Sequence, residues 1–198
     1  MREVLALGNT ESRVILSEVV ERPHAYGVGA VAGLTGEATI LNGHAYVAQV
    51  EAAFVTSTIQ PDREATLLAA AYVPTWRTIT IENTLDSRQL MAFIKNQALQ
   101  NEIDADRPFP FLIEGEISVD AHIINGSCPR AVGEEPIRFT CKTRPGTIVG
   151  IYAENAAGTL THHGEVAHMH VVFEKQPAQS GHVDDIIAHR GAVLKIPE

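Results

Sequence analysis

The distribution of apolar and polar positions divides the chain into short strand-like runs and one clear helix. Val14 to Val20 is an apolar-rich run that predicts a strand, broken by Arg22-Pro23-His24-Ala25-Tyr26. Four glycines follow between Gly27 and Gly36, a density that implies close backbone packing or turns. Glu37 to Leu41, Asn42-Gly43, and His44 to Ala48 predict a β-hairpin, because Asn-Gly supplies the two positive φ angles of a type I′ turn. In that register Glu37, Thr39 and Leu41 share a face with His44 and Tyr46. Gln49 to Ile59 continues as strand or mixed structure, and Gln60 to Glu64 as a loop. Ala65 to Val73 fits either a strand or a buried helix, and Trp76 to Ile81 alternates as a strand. The helix opens at Thr84 to Leu90, with Asp86 or Ser87 as N-cap and a stripe of Leu90, Met91, Phe93, Ile94, Ala98 and Leu99.

After a polar loop from Asn101 to Pro110, Phe111 to His122 reads as a strand broken or bulged at Gly115. Asn125-Gly126 is a turn, and Cys128 to Glu135 is irregular. Ile137 to Lys142 and Thr147 to Ala153 are strands on either side of a turn at Pro145-Gly146. Asn155 to Thr161 is a loop. The expected architecture is α+β: mainly antiparallel or mixed sheets with one principal helix, in a single domain spanning 1–198.

Chemistry concentrates in the last hairpin. Glu165 to Phe173 has strand composition, so His168 and His170 point to one face. Lys175 to Gly181 reads as a loop, and His182 to Ile187 as the returning strand. A hairpin centred near Gln176 sets His170 opposite His182, with Cβ atoms about 4.5–5.5 Å apart. Three imidazoles on one patch suit a metal such as zinc with a fourth position open to water or substrate. Without a metal, the same His-x-His spacing is a half-exposed surface pair. His162-His163 read as a solvated pair, and His24 and His44 as packing or surface residues. Asp184-Asp185 read as a solvated edge, with a carboxylate orienting an imidazole as the alternative. Trp76 and Tyr72 are assigned to the core.

Composition narrows the function classes. A chain of 198 residues with 45% hydrophobic and 20% charged residues is ordinary for a soluble globular protein. The net charge of -9 and the lack of a basic stripe argue against nucleic acid, and no polybasic patch points to a membrane. The two cysteines, Cys128 and Cys141, read as reduced thiols rather than a disulfide scaffold. No apolar leader segment and no run of membrane-spanning length is present, which gives a cytoplasmic expectation. A homodimer follows only from base rates.

Three stretches together resemble the bacterial α-acetolactate decarboxylase family. His24 to Gly29 with Gly36 to Tyr46 resembles that family's glycine-rich "GxGTFxxLxGExxxLxGxxY" segment. Gly146-Thr147-Ile148-Val149-Gly150 is similar to "GTLVGF", and His168-Met169-His170 with Gly181-His182-Val183 to "HLHF…GGHV". The resemblance implies a pair of antiparallel mixed sheets plus helices, and Zn2+ bound by His168, His170 and His182. It also implies that Glu37, in the family's "GE" position, lies beside the metal as a catalytic group. The implied reaction takes a 2-hydroxy-3-oxo acid that chelates the metal through two oxygens. The metal acts as Lewis acid while carbon dioxide departs, and acetoin is the family's product.

The departures are specific. The family's Thr in "GTFx" is replaced, with Ala30 and Ala32 in this segment. The family's arginine, some eight residues beyond the glycine matching Gly115, is absent where Ala121-His122-Ile123 stand. His122 is taken as the substrate-binding residue in its place, with Arg130, Arg138 and Arg144 as the other candidates. Glu198 is a poor match for the family's glutamate beyond the third histidine. A metal site kept without its arginine clamp implies an altered substrate. Two alternatives stand beside the decarboxylase: a three-histidine zinc hydrolase on the same fold, and a non-catalytic, metal-stabilised oligomerisation module.

Overall fold

The computed structural model describes residues 4, 8–51, 54–126, 135–156, 158–161, 164–175 and 178–198, the side chains of 51 and 54–56 excepted. The expectations at Cys128, Arg130, His162, His163 and Gln176 fall outside them. Two antiparallel sheets carry the structure. The first has the order β1-β6-β2-β3-β4-β5: β1 (Val14–Ile15), β2 (Ala25–Val31), β3 (Glu37–Leu41), β4 (His44–Glu51), β5 (Phe54–Ile59) and β6 (Glu64–Tyr72). The second has the order β7-β13-β9-β10-β11-β12-β8. Its strands are β7 (Trp76–Thr80), β8 (Leu85–Asp86), β9 (Phe109–Ile123), β10 (Ile137–Tyr152), β11 (Ala167–Phe173), β12 (Gln179–Ala188) and β13 (Val193–Pro197). β12 pairs with β9 as well as β11, so the ring β9-β10-β11-β12 closes on itself.

Alternation along the strands decides what each face meets. On β2, Tyr26 and Val28 pack against Leu112, Val149 and Ile151 of the second sheet. The opposite face of the first sheet presents Ala25, Val31, Ala38, Ile40 and Val47 to α1 (Leu16–Val20). On β11, Ala167, Met169, Val171 and Phe173 join the core covered by α2 (Ser87–Gln100), leaving His168 and His170 on the face toward the first sheet. Residues 167–173 are all buried, so both faces of this strand are covered.

The Asn42-Gly43 turn is present, with φ of 47° and 78°, and pairs Leu41 with His44. Asp86 caps α2 through a capping box with Gln89. Leu90, Ile94 and Ala98 form its buried stripe, whereas Leu99 is 55% exposed. The segment that fitted strand or helix is strand, β6, up to Tyr72.

Three local expectations are corrected. Only Val14–Ile15 of the first apolar run is strand. Leu16 and Val19 instead take helical spacing and bury one face of α1. β9 is not broken at Gly115, which stays in register with Gly146. The irregularity lies on β10 between Cys141 and Arg144, where Ser118 Oγ accepts the Thr143 N–H at 2.9 Å. Pro145-Gly146 is not a turn but the middle of β10. Its proline is accommodated because β11 begins its pairing only at Thr147, so the missing N–H removes no rung of that ladder.

The glycines of β2 are required by proximity. A Cβ on Gly29 would collide with Leu67 O and lie 2.8 Å from Leu68 Cα, both main-chain atoms that cannot swing away. Gly29→Ala is expected to cost about 3 kcal/mol, the upper end for overpacking. Denaturant unfolding checks this, and an unchanged midpoint would refute it.

Candidate functional site

His182 pairs across β12 and β11 with His170, and His168 lies two residues along on the same face. The ring centroids are 5.0 to 5.5 Å apart, and the nitrogens able to ligate a metal all lie within 4.8 Å of one another. The three residues are 4%, 0% and 4% exposed for His168, His170 and His182. Imidazoles so deeply buried need polar partners. One comes from the first sheet, where Thr39 Oγ1 lies 2.9 Å from His170 Nδ1. That contact occupies the Nδ1 edge of His170 and leaves the Nε2 edge to the cluster.

Glu37 also comes from β3, two residues before Thr39 on the same face. A carboxylate that begins a strand next to glycines reads from pattern alone as a solvated edge charge, but Glu37 is 4% exposed. Its Oε2 lies 3.7 Å from His170 Nε2, and its Oε1 accepts the Ile124 N–H at 3.2 Å. Burial pushes its carboxyl up to about 7. The charge of His122 and the bond from Ile124 oppose that rise, and the charge of Asp184 adds to it. A cation held by the histidines would draw the value down again.

His122 on β9 pairs across to His182, and their rings are 4.8 Å apart. Asp184 is not a simple solvated edge. The register between β12 and β9 shifts between Val183 and Asp185, so Asp184 is the extra residue. Bulges re-aim side chains in this way. Its Oδ1 lies 2.8 Å from His122 Nδ1 and its Oδ2 accepts from Arg138 Nη1 at 2.6 Å. Desolvation would raise the Asp184 carboxyl, but the bond to His122 and the charges of His122 and Arg138 outweigh it and hold it low.

Of the arginines considered for the clamp, Arg138 is spent on Asp184 with a 66% exposed side chain. Arg144 lies over the Phe173 ring and donates to Gln179 and Lys175. The structure thus brings Glu37, His122, His168, His170 and His182 into one cluster. Thr39 is the addition that sequence reasoning did not select, and Asp184 takes the role that sequence reasoning held only as an alternative, a carboxylate against an imidazole. Thr39 had a signal in its spacing from Glu37 on the hairpin, while the bulge that aims Asp184 had none.

The donor set is three buried imidazoles with a carboxylate beside them. It could hold a metal ion, and neutral imidazole suits zinc, copper, iron or nickel. Among the described residues, no helix is long and apolar enough to cross a membrane.

Similarity to known proteins agrees with this fold. The crystal structure of alpha-acetolactate decarboxylase from Bacillus subtilis strain 168 superposes with a TM-score of 0.80 at 18% identity, covering 100% of this chain and 82% of the other. The acetolactate decarboxylase from Bacillus subtilis subspecies spizizenii gives 0.79 at 20% identity, covering 100% and 83%. A Staphylococcus aureus protein described as similar to alpha-acetolactate decarboxylase gives 0.74 at 19%, covering 95% and 78%. At such identities these likenesses establish the fold. Comparison with curated proteins yields no significant match. The sequence profile of alpha-acetolactate decarboxylase, however, matches residues 1–196, and the chain therefore belongs to the alpha-acetolactate decarboxylase family.

Proposed function

We propose that this chain is a zinc-dependent carboxy-lyase. It removes carbon dioxide from a 2-hydroxy-3-oxo acid of the 2-acetolactate type and leaves an acetoin-type hydroxyketone. The observation that carries the proposal is the buried His168-His170-His182 cluster with Glu37 against it, in a chain of this family. His168, His170 and His182 would hold the metal. When bound, the metal supplies Lewis-acid stabilisation of the charge that builds on substrate oxygens as the carbon–carbon bond breaks.

The rest falls to the protein. The carboxylate leaves as carbon dioxide, its bonding electron pair stays on the substrate, and one proton must be added to carbon. Glu37 is the group placed to hold and return that proton, since its buried carboxylate lies 3.7 Å from His170 Nε2 at the edge of the cluster. His122 faces the substrate where the family places a guanidinium. A single imidazole lacks the two parallel donors that grip a carboxylate, which favours an altered substrate within the same class. Thr39 orients His170. The reading extends to a cytoplasmic homodimer built from single-domain chains, with sedimentation as the test of the dimer.

The direct experiment is carbon dioxide release from racemic 2-acetolactate by zinc-loaded protein. Release is expected, with loss on chelation and recovery on adding zinc. Ester hydrolysis without carbon dioxide release would move the assignment to the hydrolase alternative. Absence of turnover on any candidate would favour the non-catalytic module. Thr39→Val is expected to weaken zinc binding about tenfold to a hundredfold, the range for losing a partner that orients a ligand. Competition with a chromophoric chelator measures this, and wild-type affinity would exclude the role.

A further inference from the structure

We propose that Asp184 is a positioning residue for His122. Together they form the substrate-facing wall in the chain's own version of the family's clamp. The inference rests on the decarboxylase reading above and extends it to a residue outside the metal cluster.

The observations are geometric. β12 carries His182 inward and then gains one residue relative to β9 before Asp185. That extra residue lets the Asp184 carboxylate, whose side chain is 30% exposed, reach across to β9 and β10. One of its oxygens lies 2.8 Å from His122 Nδ1, and the other accepts from Arg138 at 2.6 Å. Arg138 is the cross-strand partner of His122 on β10, so three adjacent strands converge on this carboxylate. The His122 side chain is 14% exposed, and its ring lies 4.8 Å from that of His182.

With Nδ1 engaged by Asp184, Nε2 is the ring nitrogen left for a substrate. The Arg138 guanidinium holds the far oxygen of Asp184 and steadies the carboxylate without entering the cluster itself. The chain thus meets its substrate with one fixed nitrogen instead of a two-pronged guanidinium. Such a contact orients a hydroxyl or one carboxylate oxygen and does not grip a carboxylate bidentately.

The test is a double-mutant cycle on zinc-loaded protein with Asp184→Ala, His122→Ala and the pair, read by zinc content, by kcat and KM on 2-acetolactate, and by the imidazole nitrogen NMR spectrum. Zinc per chain is expected to stay at the wild-type value in all three variants. Each single change is expected to raise KM about tenfold with a smaller change in kcat, and the pair to be no worse than His122→Ala alone, since Asp184 acts through His122. In the spectrum, the His122 Nδ1–H signal is expected in wild type and lost in Asp184→Ala. Multiplying effects in the pair, loss of zinc in Asp184→Ala, or an unchanged His122 signal would overturn the proposal. The NMR arm reads the positioning role even if 2-acetolactate proves not to be a substrate, so failure of the decarboxylase reading is told apart from failure of this one.

Discussion

Replacing His182 with alanine is expected to leave the protein folded and to reduce bound zinc from one per chain to a small fraction of that. Turnover should fall more than about a hundredfold, beyond the range seen for partners that merely orient a ligand. Its position explains the size of the effect. His182 sits on the strand that joins β11 to β9, opposite His170 on one side and His122 on the other. Its loss leaves two imidazoles, both from β11, and a void where the donor from β12 stood. Two imidazoles from one strand hold an ion far less tightly than three, since the site loses the donor that closes the set from another strand. His168→Ala should behave alike, because the ligating atoms form one mutually close set. Elemental analysis of purified variants is the measurement. Full zinc occupancy in His182→Ala would remove this cluster as the metal site and with it the mechanism.

Glu37→Gln should separate chemistry from metal binding. Zinc is expected to remain, since the three imidazoles are untouched, while turnover falls about tenfold or more from loss of proton transfer. Unchanged turnover would take Glu37 out of the mechanism. The same variant makes a prediction about stability in the metal-free protein. Burial raises the Glu37 carboxyl from 4.5 to about 7 in the folded state. A folded-state value above the unfolded one means that the folded protein binds this proton more tightly. Stability from the neutral form is therefore present at low pH and is lost as pH rises from 4.5 through 7. The full loss is about 3 kcal/mol by linkage. Glutamine carries no titrating proton and keeps an oxygen for the Ile124 N–H. Metal-free Glu37→Gln should therefore gain about 2 kcal/mol on metal-free wild type between about pH 5 and pH 8. Parallel urea unfolding at the two pH values reads the difference, and equal curves at both would refute the buried, proton-holding state of Glu37.

Much of this site is legible in the order of residues. Asn42-Gly43 admits the left-handed backbone of a two-residue turn, so the pairing of Leu41 with His44 and the shared face of Glu37 and Thr39 follow directly. Alternation through Ala167 to Phe173 separates the apolar side from the histidine side. The loop after Phe173 then aligns His170 with His182. Asp86 followed by Gln89 starts α2 where a capping box belongs. Where local pattern misled, the neighbours had decided the outcome. Leu16 to Val20 is equally apolar as strand or helix, and packing on the first sheet selects the helix. Pro145-Gly146 looks like a turn until β9 pairs along both sides of it.

Which side chains share a strand face follows from residue order alone, because that depends on a two-residue period and on turn chemistry confined to adjacent positions. It took the packing of the two sheets to bring Glu37 and Thr39 of one over the histidines of the other, to bury Glu37, and to aim Asp184 at His122 through a single extra residue on β12. Those facts arise from contacts between segments more than sixty residues apart along the chain, such as Thr39 with His170, at a sequence separation of 131, and His122 with Asp184, at 62. Burial and bulge position are set by what packs opposite a residue, and no local pattern of apolar and polar positions encodes that.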